Sequence, residues 1–292
     1  MGTSNSYGGA GGGTPLIPTW LTPDSDGQPQ PSDGPETPGA PIPPAPGQIP
    51  PPPKLVPVPP SGDPKRFSTA RGNFTRFVTS GGRDRRSLGR SLSSYVSTAM
   101  GGGGTAAKRM ALSSRATSRL ANFLSTASTA GVREALRSVG LERLAGRPAS
   151  EVLRGLIEFI CPPGGTIDES IAREAFIETV ADLAESGIPD LETLTAQQMQ
   201  TVLELNIAHA IEARICNDIG TNAVALPASA EAAAEIQEQL FDFVLRSVAD
   251  AFSASPLGQG LTPQQTQAEI DHIYEQAFWI LQTLAEAEAD KR

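Results

Sequence analysis

The sequence predicts an all-α protein: an irregular multi-helix bundle preceded by a long, disordered Gly/Pro-rich N-terminal tail. Three observations carry that expectation. Residues 1–62 hold 11 of the 29 glycines and 18 of the 26 prolines, a composition that buries too little apolar surface to offset the entropy of ordering the chain. Beyond them apolar residues recur at helical spacing, and no period-two run is rich enough in β-branched residues to read as a strand. Helix starts and stops are marked by Thr caps and by Pro and Gly breaks.

Within the tail, Met1 to Gly13 is small and glycine-rich, and Pro23 to Pro60 is a proline-dense spacer of the kind that favours extended polyproline conformation. Between them the segment 14–21, Thr-Pro-Leu-Ile-Pro-Thr-Trp-Leu, holds the one marked apolar cluster of the tail. Leu16, Ile17, Trp20 and Leu21 therefore read as a docking peptide on a tether.

Residues 63–147 form a basic helical segment. Phe67, Phe74, Phe77 and Val78 mark a first helix, and Leu88, Leu92, Tyr95, Val96 and Met100 a second, which Gly101 to Gly104 end abruptly. A third carries Met110, Leu112, Leu120, Phe123 and Leu124. Residues 148–292 form an acidic helical domain. Thr166-Ile-Asp-Glu169, Thr195-Ala-Gln-Gln198 and Thr262-Pro263-Gln-Gln265 each fit the capping box, in which the Thr oxygen and the Glu or Gln side chain satisfy opposed backbone N–H groups. Breaks fall at 162–165, 187–189, 220–227 and 256–260. Leu203, Ile207, Ile211 and Ile215 make one apolar stripe, and Leu240, Val244 and Val248 another, flanked by Phe241, Leu245 and Phe252. In the last helix Ile270, Ile273, Ala277, Ile280, Leu284 and Ala287 make a heptad-like seam.

The net charge of −9 conceals a division. Residues 1–62 carry −3, residues 63–147 carry +12, and residues 148–292 carry −18. The basic segment is therefore expected either to fold onto the acidic body or to meet an acidic partner such as nucleic acid. For the second case the candidate contacts are Arg71, Arg76, Arg83, Arg85, Arg86, Arg90, Lys108, Arg109, Arg115 and Arg119, with Phe74, Phe77 and Tyr95 placed among them to stack on bases.

No catalytic constellation is legible. Glu269-Ile-Asp-His272 has the spacing of half a di-iron motif, but Glu204 is out of register before His209, so no second copy exists. His209, Cys216 and Cys161 lack tight zinc-ligand spacing, and no metal or other cofactor is expected. Gly101 to Gly104 with Lys108 departs from the order of a phosphate-binding loop and reads as a hinge. No nucleophile elbow accompanies the many serines. The two cysteines have no disulfide-framework spacing, no stretch is long and apolar enough to span a membrane, and the first residues lack a signal-peptide layout, so a cytoplasmic protein is expected. Met1-Gly2 is a context in which the initiator Met is removed, leaving a glycine amine whose reference pKa near 8 keeps part of it nucleophilic.

The stretches MGTSNSYGG (1–9), PLIPTWL (15–21) and RFSTARGNFTRFVTSGGRDRRSLGRSLSSYVSTAMGGG (66–103) resemble the QatB family of bacterial Qat anti-phage defence systems. The likeness covers about the first 125 residues; the acidic half is similar only in general character. The resemblance implies a subunit without enzymatic activity of its own. Its partners would be a QueC-like protein, QatC, together with an ATPase, QatA, and a TatD-like nuclease, QatD. A QueC-like enzyme activates a carboxylate with ATP and couples it to an amine. Gly2 is therefore expected to be a modification site, with Thr3, Ser4 and Tyr7 aiding recognition.

Overall fold

The computed structural model describes residues 65–186, 191–220, 229–255 and 261–291. The tail lies outside them, and with it Gly2, Thr3, Ser4, Tyr7 and the 14–21 segment. Among the described residues every regular element is helical. In order they are α1 (Ser68–Thr79), α2 (Arg85–Ser94, continuing as a π-helical segment Tyr95–Ala99), α3 (Gly103–Arg109), α4 (Ala111–Ala130), α5 (Val132–Ser138), α6 (Ala149–Gly155) and α7 (Ile157–Ile160). Then come α8 (Ile167–Glu185), α9 (Ala196–Ile215, continuing as a π-helical segment Cys216–Gly220), α10 (Ala230–Ser253) and α11 (Pro263–Asp290), with short 3₁₀ turns at Glu142–Leu144 and Leu191–Thr193. No helix among the described residues is long and apolar enough to cross a membrane.

All three expected capping boxes form. Thr166, Thr195 and Thr262 accept from the backbone N–H three residues on, while Glu169, Gln198 and Gln265 reach back to the cap N–H, and Pro263 sits at the first helical position. The helices α8, α9 with its π segment, and α10 stop at Glu185, Gly220 and Ser253. The Pro- and Gly-marked breaks that follow them lie in part or wholly outside the described residues.

Two boundaries differ from the sequence reading. Gly103 and Gly104 do not terminate a helix but begin α3, because only Gly101 and Gly102, at φ 82° and 90°, occupy the left-handed region that makes the turn. The third basic helix is two: Met110, at φ −92° and ψ 14°, leaves helical geometry and separates α3 from α4 while its side chain enters the core.

Helix α11 organises the bundle, touching α2, α3, α4 and α10, while α8, α9 and α10 pack side by side and α4 crosses α8 and α9. One hydrophobic core runs from Phe67 to Ala285, so the basic and acidic stretches share it. Of the first two basic helices, Phe77, Leu88, Leu92, Tyr95 and Val96 are fully buried, each large apolar side chain contributing about 1.5–3 kcal/mol. The α9 and α10 stripes point inward as expected. The α11 seam holds through Ile270, Ile273 and Ala277, then rotates: Leu281, Ala285 and Glu288 are buried in place of Ile280, Leu284 and Ala287. A straight helix of 3.6 residues per turn drifts about 20° per heptad away from a strict 3.5-residue seam, and α11 is long enough for the drift to change which residues face in.

The centre also holds a polar network. Thr117 on α4 donates to Asn206 Oδ1 on α9 at 2.8 Å and lies 3.3 Å from the Tyr274 hydroxyl of α11, while Asn206 Nδ2 donates to Thr179 of α8 at 3.2 Å. All four residues are buried. Satisfied polar groups in an apolar core fix register, since any slip leaves them unpaired.

Candidate functional site

A cluster of charged side chains gathers where Tyr95 of the first π-helical segment reaches Asp218 of the second. A π turn admits an extra residue, which redirects the side chains around it. Tyr95 opens the first π segment and Asp218 sits in the second, and the fully buried Tyr95 hydroxyl donates to Asp218 Oδ2 at 2.9 Å. Arg214, one turn earlier on α9, donates to the same oxygen from Nε at 3.2 Å and to Asp168 at the start of α8 from Nη1. From α1, Arg71 reaches the Asp218 main-chain carbonyl with Nε at 3.1 Å and Nη2 at 2.7 Å. Phe67 stacks against Tyr95 at 6.0 Å between centroids, with the Arg66 and Arg71 guanidinium groups over its ring at 4.6 and 5.4 Å.

Electrostatics follow from this packing. Burial above all, and then the Asp218 charge, pushes the Tyr95 phenol well above its ordinary value, so it stays a neutral donor. Burial, then Arg66 and Arg214, lower the Arg109 guanidinium, whose buried Nε has no hydrogen-bond partner among the described residues. Arginines thus crowd around one carboxylate and one carbonyl. The cluster clamps α1 and α2 to the end of α9.

The ten basic residues proposed for nucleic acid divide accordingly. Arg71 is committed to Asp218, Arg109 is half-buried beside it, and Arg119 donates to the Ile160 carbonyl at 2.9 Å. These three are half-buried. Phe74, Phe77 and Tyr95 are core residues, which removes them as base-stacking surfaces. Arg85 pairs with Glu288 at 3.4 Å and Arg86 donates to the Lys291 carbonyl, so the start of α2 meets the acidic end of α11, whose dipole favours cations. Arg76, Arg83, Arg90, Lys108 and Arg115 are exposed but lie on separate helices and turns. The basic segment folds onto the acidic body, in the sense expected from the opposed charges.

The remaining chemistry-bearing residues are also placed. His272 is exposed on α11. Cys161 and Cys216 are free thiols; Cys161 donates to the Ala172 carbonyl at 3.4 Å, and burial pushes its pKa to about 11 and that of Cys216 to about 12. Among the described residues no group of His, Cys, Asp and Glu is arranged to hold a metal ion. His209 lies between two carboxylates, with Nε2 2.8 Å from Asp182 Oδ2 and Nδ1 3.9 Å from Glu212 Oε2, and its ring stacks on Phe241 at 4.4 Å. The sequence reading weighed His209 as a zinc ligand and, with Glu204, as half of a di-iron motif; the i, i+4, i+8 row Glu174, Glu178, Asp182 on α8 was the signal that could have placed it in an acidic setting.

Burial pulls the His209 pKa down, but the Glu212 and Asp182 carboxylates outweigh it and leave it above the ordinary 6.5. A histidine whose pKa is raised on folding stabilises the fold fully below the unfolded value and loses that contribution as pH rises through the folded value. A His209→Gln variant should therefore lose most stability relative to the parent below pH 6.5, and the difference should shrink at alkaline pH. Urea unfolding midpoints across that range provide the measurement; a difference that grows with pH contradicts the assignment.

Comparison with known proteins adds the family. The family model described as "Qat anti-phage system associated protein QatB" matches residues 101–281, from the turn before α3 into α11. The match includes the acidic half, where the sequence reading found only general similarity. No curated protein and no solved structure matches the chain. With more than half its length matched, the chain belongs to the QatB family of proteins associated with the Qat anti-phage defence system.

Proposed function

We propose that this chain is a non-catalytic, cytoplasmic subunit of a Qat anti-phage complex, serving as scaffold and as protein substrate. Its N-terminal glycine, Gly2, would be conjugated by the QueC-like partner to a deazaguanine-type group. Family membership is the observation that carries the reading, because it supplies the other Qat components as partners. The composition of residues 1–62 supports it: a run with 18 prolines suits an arm that delivers a terminus to another protein's active site. Thr3, Ser4 and Tyr7 would flank the reacting amine, and Leu16, Ile17, Trp20 and Leu21 would anchor the arm on the partner.

Chemically, an ATP-activated acyl group on the partner's substrate would be attacked by the free Gly2 amine, forming an amide and releasing the activating nucleotide with the amine proton. Intact-mass measurement of full-length protein co-expressed with the QueC-like partner should show an added group that maps to Gly2. In a Gly2→Pro variant the addition should disappear. The same added mass on that variant would refute modification at Gly2.

A further inference from the structure

A cleft of about 340 Å³ opens between α8, α9 and α10. On α8, Glu174, Glu178 and Asp182 stand one helical turn apart along one face, and Glu238 faces them from α10. Like charges four residues apart on a helix repel, and among the described residues the lining holds neither Lys nor Arg. Among the described lining residues only the imidazole of His209 offsets these carboxylates.

Glu212 gives the cleft its second distinguishing feature. It lines the cleft from α9 yet is only 6% exposed, and its buried Oε1 has no hydrogen-bond partner among the described residues. Leaving a carboxylate oxygen shielded from water and unpaired is costly, so the position favours a donor arriving from outside the chain. A single metal ion does not suit the arrangement, because among the described residues no group of carboxylates and imidazole converges to hold one. Successive acidic residues on α8 are about 6 Å apart along the axis, close to the reach of a butyl linker between two amines. Phe241, stacked on His209, supplies an aromatic surface for the alkyl or cationic part of such a ligand.

The geometry points to a binding site for an elongated organic cation, one that carries spaced ammonium or guanidinium groups on a flexible chain. Glu212 receives the innermost cationic group, and Glu174, Glu178, Asp182 and Glu238 receive those nearer the mouth. The ligand chemistry is that of a polyamine or of Lys side chains in a basic peptide.

The test is calorimetric titration of the full-length chain at low ionic strength, where exposed charge interactions are least screened, with spermidine in one arm and an oligolysine peptide in the other. Spermidine is expected to bind at one site. Its affinity should fall at least tenfold in Glu178→Lys, an exposed position that leaves the core intact, and in Glu212→Gln. It should be nearly unchanged in Asp250→Lys, which makes the same charge change at an exposed site outside the cleft. Saturation should also lower the His209 pKa followed by NMR, because a bound cation opposes protonation of the ring. Peptide binding with the same Glu178→Lys sensitivity, in the absence of spermidine binding, supports the cleft and assigns the cation to a polypeptide. Absence of binding in both arms overturns the proposal, as does an equal loss in Glu178→Lys and Asp250→Lys, which would mean attraction to the net charge alone.

Discussion

Asp218→Ala should destabilise the protein by about 3–5 kcal/mol, the range observed when one partner of a buried ion pair is removed. Asp218 and Arg214 expose only 10% and 13% of their side chains. Removing the carboxylate leaves Arg214 with Asp168 alone, strips the Tyr95 hydroxyl of its acceptor, and gathers the positive charges of Arg66, Arg71, Arg109 and Arg214 with less to oppose them. Arg71 holds the main-chain carbonyl, which the substitution retains, so α1 should stay docked while the π segments loosen. Asp218→Asn keeps the shape and one acceptor and should cost less, roughly the 1.5–3 kcal/mol of a charged hydrogen bond. Urea unfolding measures both. A loss below about 1 kcal/mol for Asp218→Ala would place the link between the basic and acidic stretches in apolar packing alone.

Gly89→Val should be comparably damaging, for a steric reason. Gly89 is buried in α2 where that helix crosses the end of α11. A Cβ there would lie 2.6 Å from the Ala285 carbonyl oxygen, 2.7 Å from the Ala289 nitrogen and 3.1 Å from Glu288 Cβ. Backbone atoms of a helix cannot rotate away as a side chain can, so α2 and α11 must separate. Overpacking costs about 1–3 kcal/mol and occasionally more; the valine variant should reach the upper part of that range, while Gly89→Ala, which brings the same Cβ but no branch and a better helix propensity, should cost less yet still destabilise. Thermal unfolding of the two variants against Gly72→Ala, where an added Cβ meets nothing within 4 Å, separates close approach from propensity. Equal midpoints for Gly89→Ala and Gly72→Ala would refute the contact.

Sequence and structure divide at identifiable residues. The all-α class, the three capping boxes and the inward stripes of α9 and α10 were legible because they depend on neighbours within one or two turns. The break at Met110 and the rotation of the α11 seam were not, because each depends on how a helix continues through its surroundings rather than on its own pattern. Opposed charges at 63–147 and 148–292 were also visible, but not which arginine meets which acid. Arg71 and Asp218 are 147 positions apart, and Tyr95 and Asp218 are 123 apart.

By itself the sequence determined local things: helical periodicity, the chemistry of helix ends, the exceptional composition of residues 1–62 and the sign of charge along the chain. These are properties of backbone propensity and short-range hydrogen bonding, which act before distant residues meet. Only the tertiary structure decided that Arg71, Arg109 and Arg119 are half-buried, that Phe74, Phe77 and Tyr95 belong to the core, and that Glu212 lies buried beside His209 with its Oε1 unpartnered among the described residues. Burial and charge pairing are relations between residues far apart in the chain, so they exist only once α8, α9, α10 and α11 have packed.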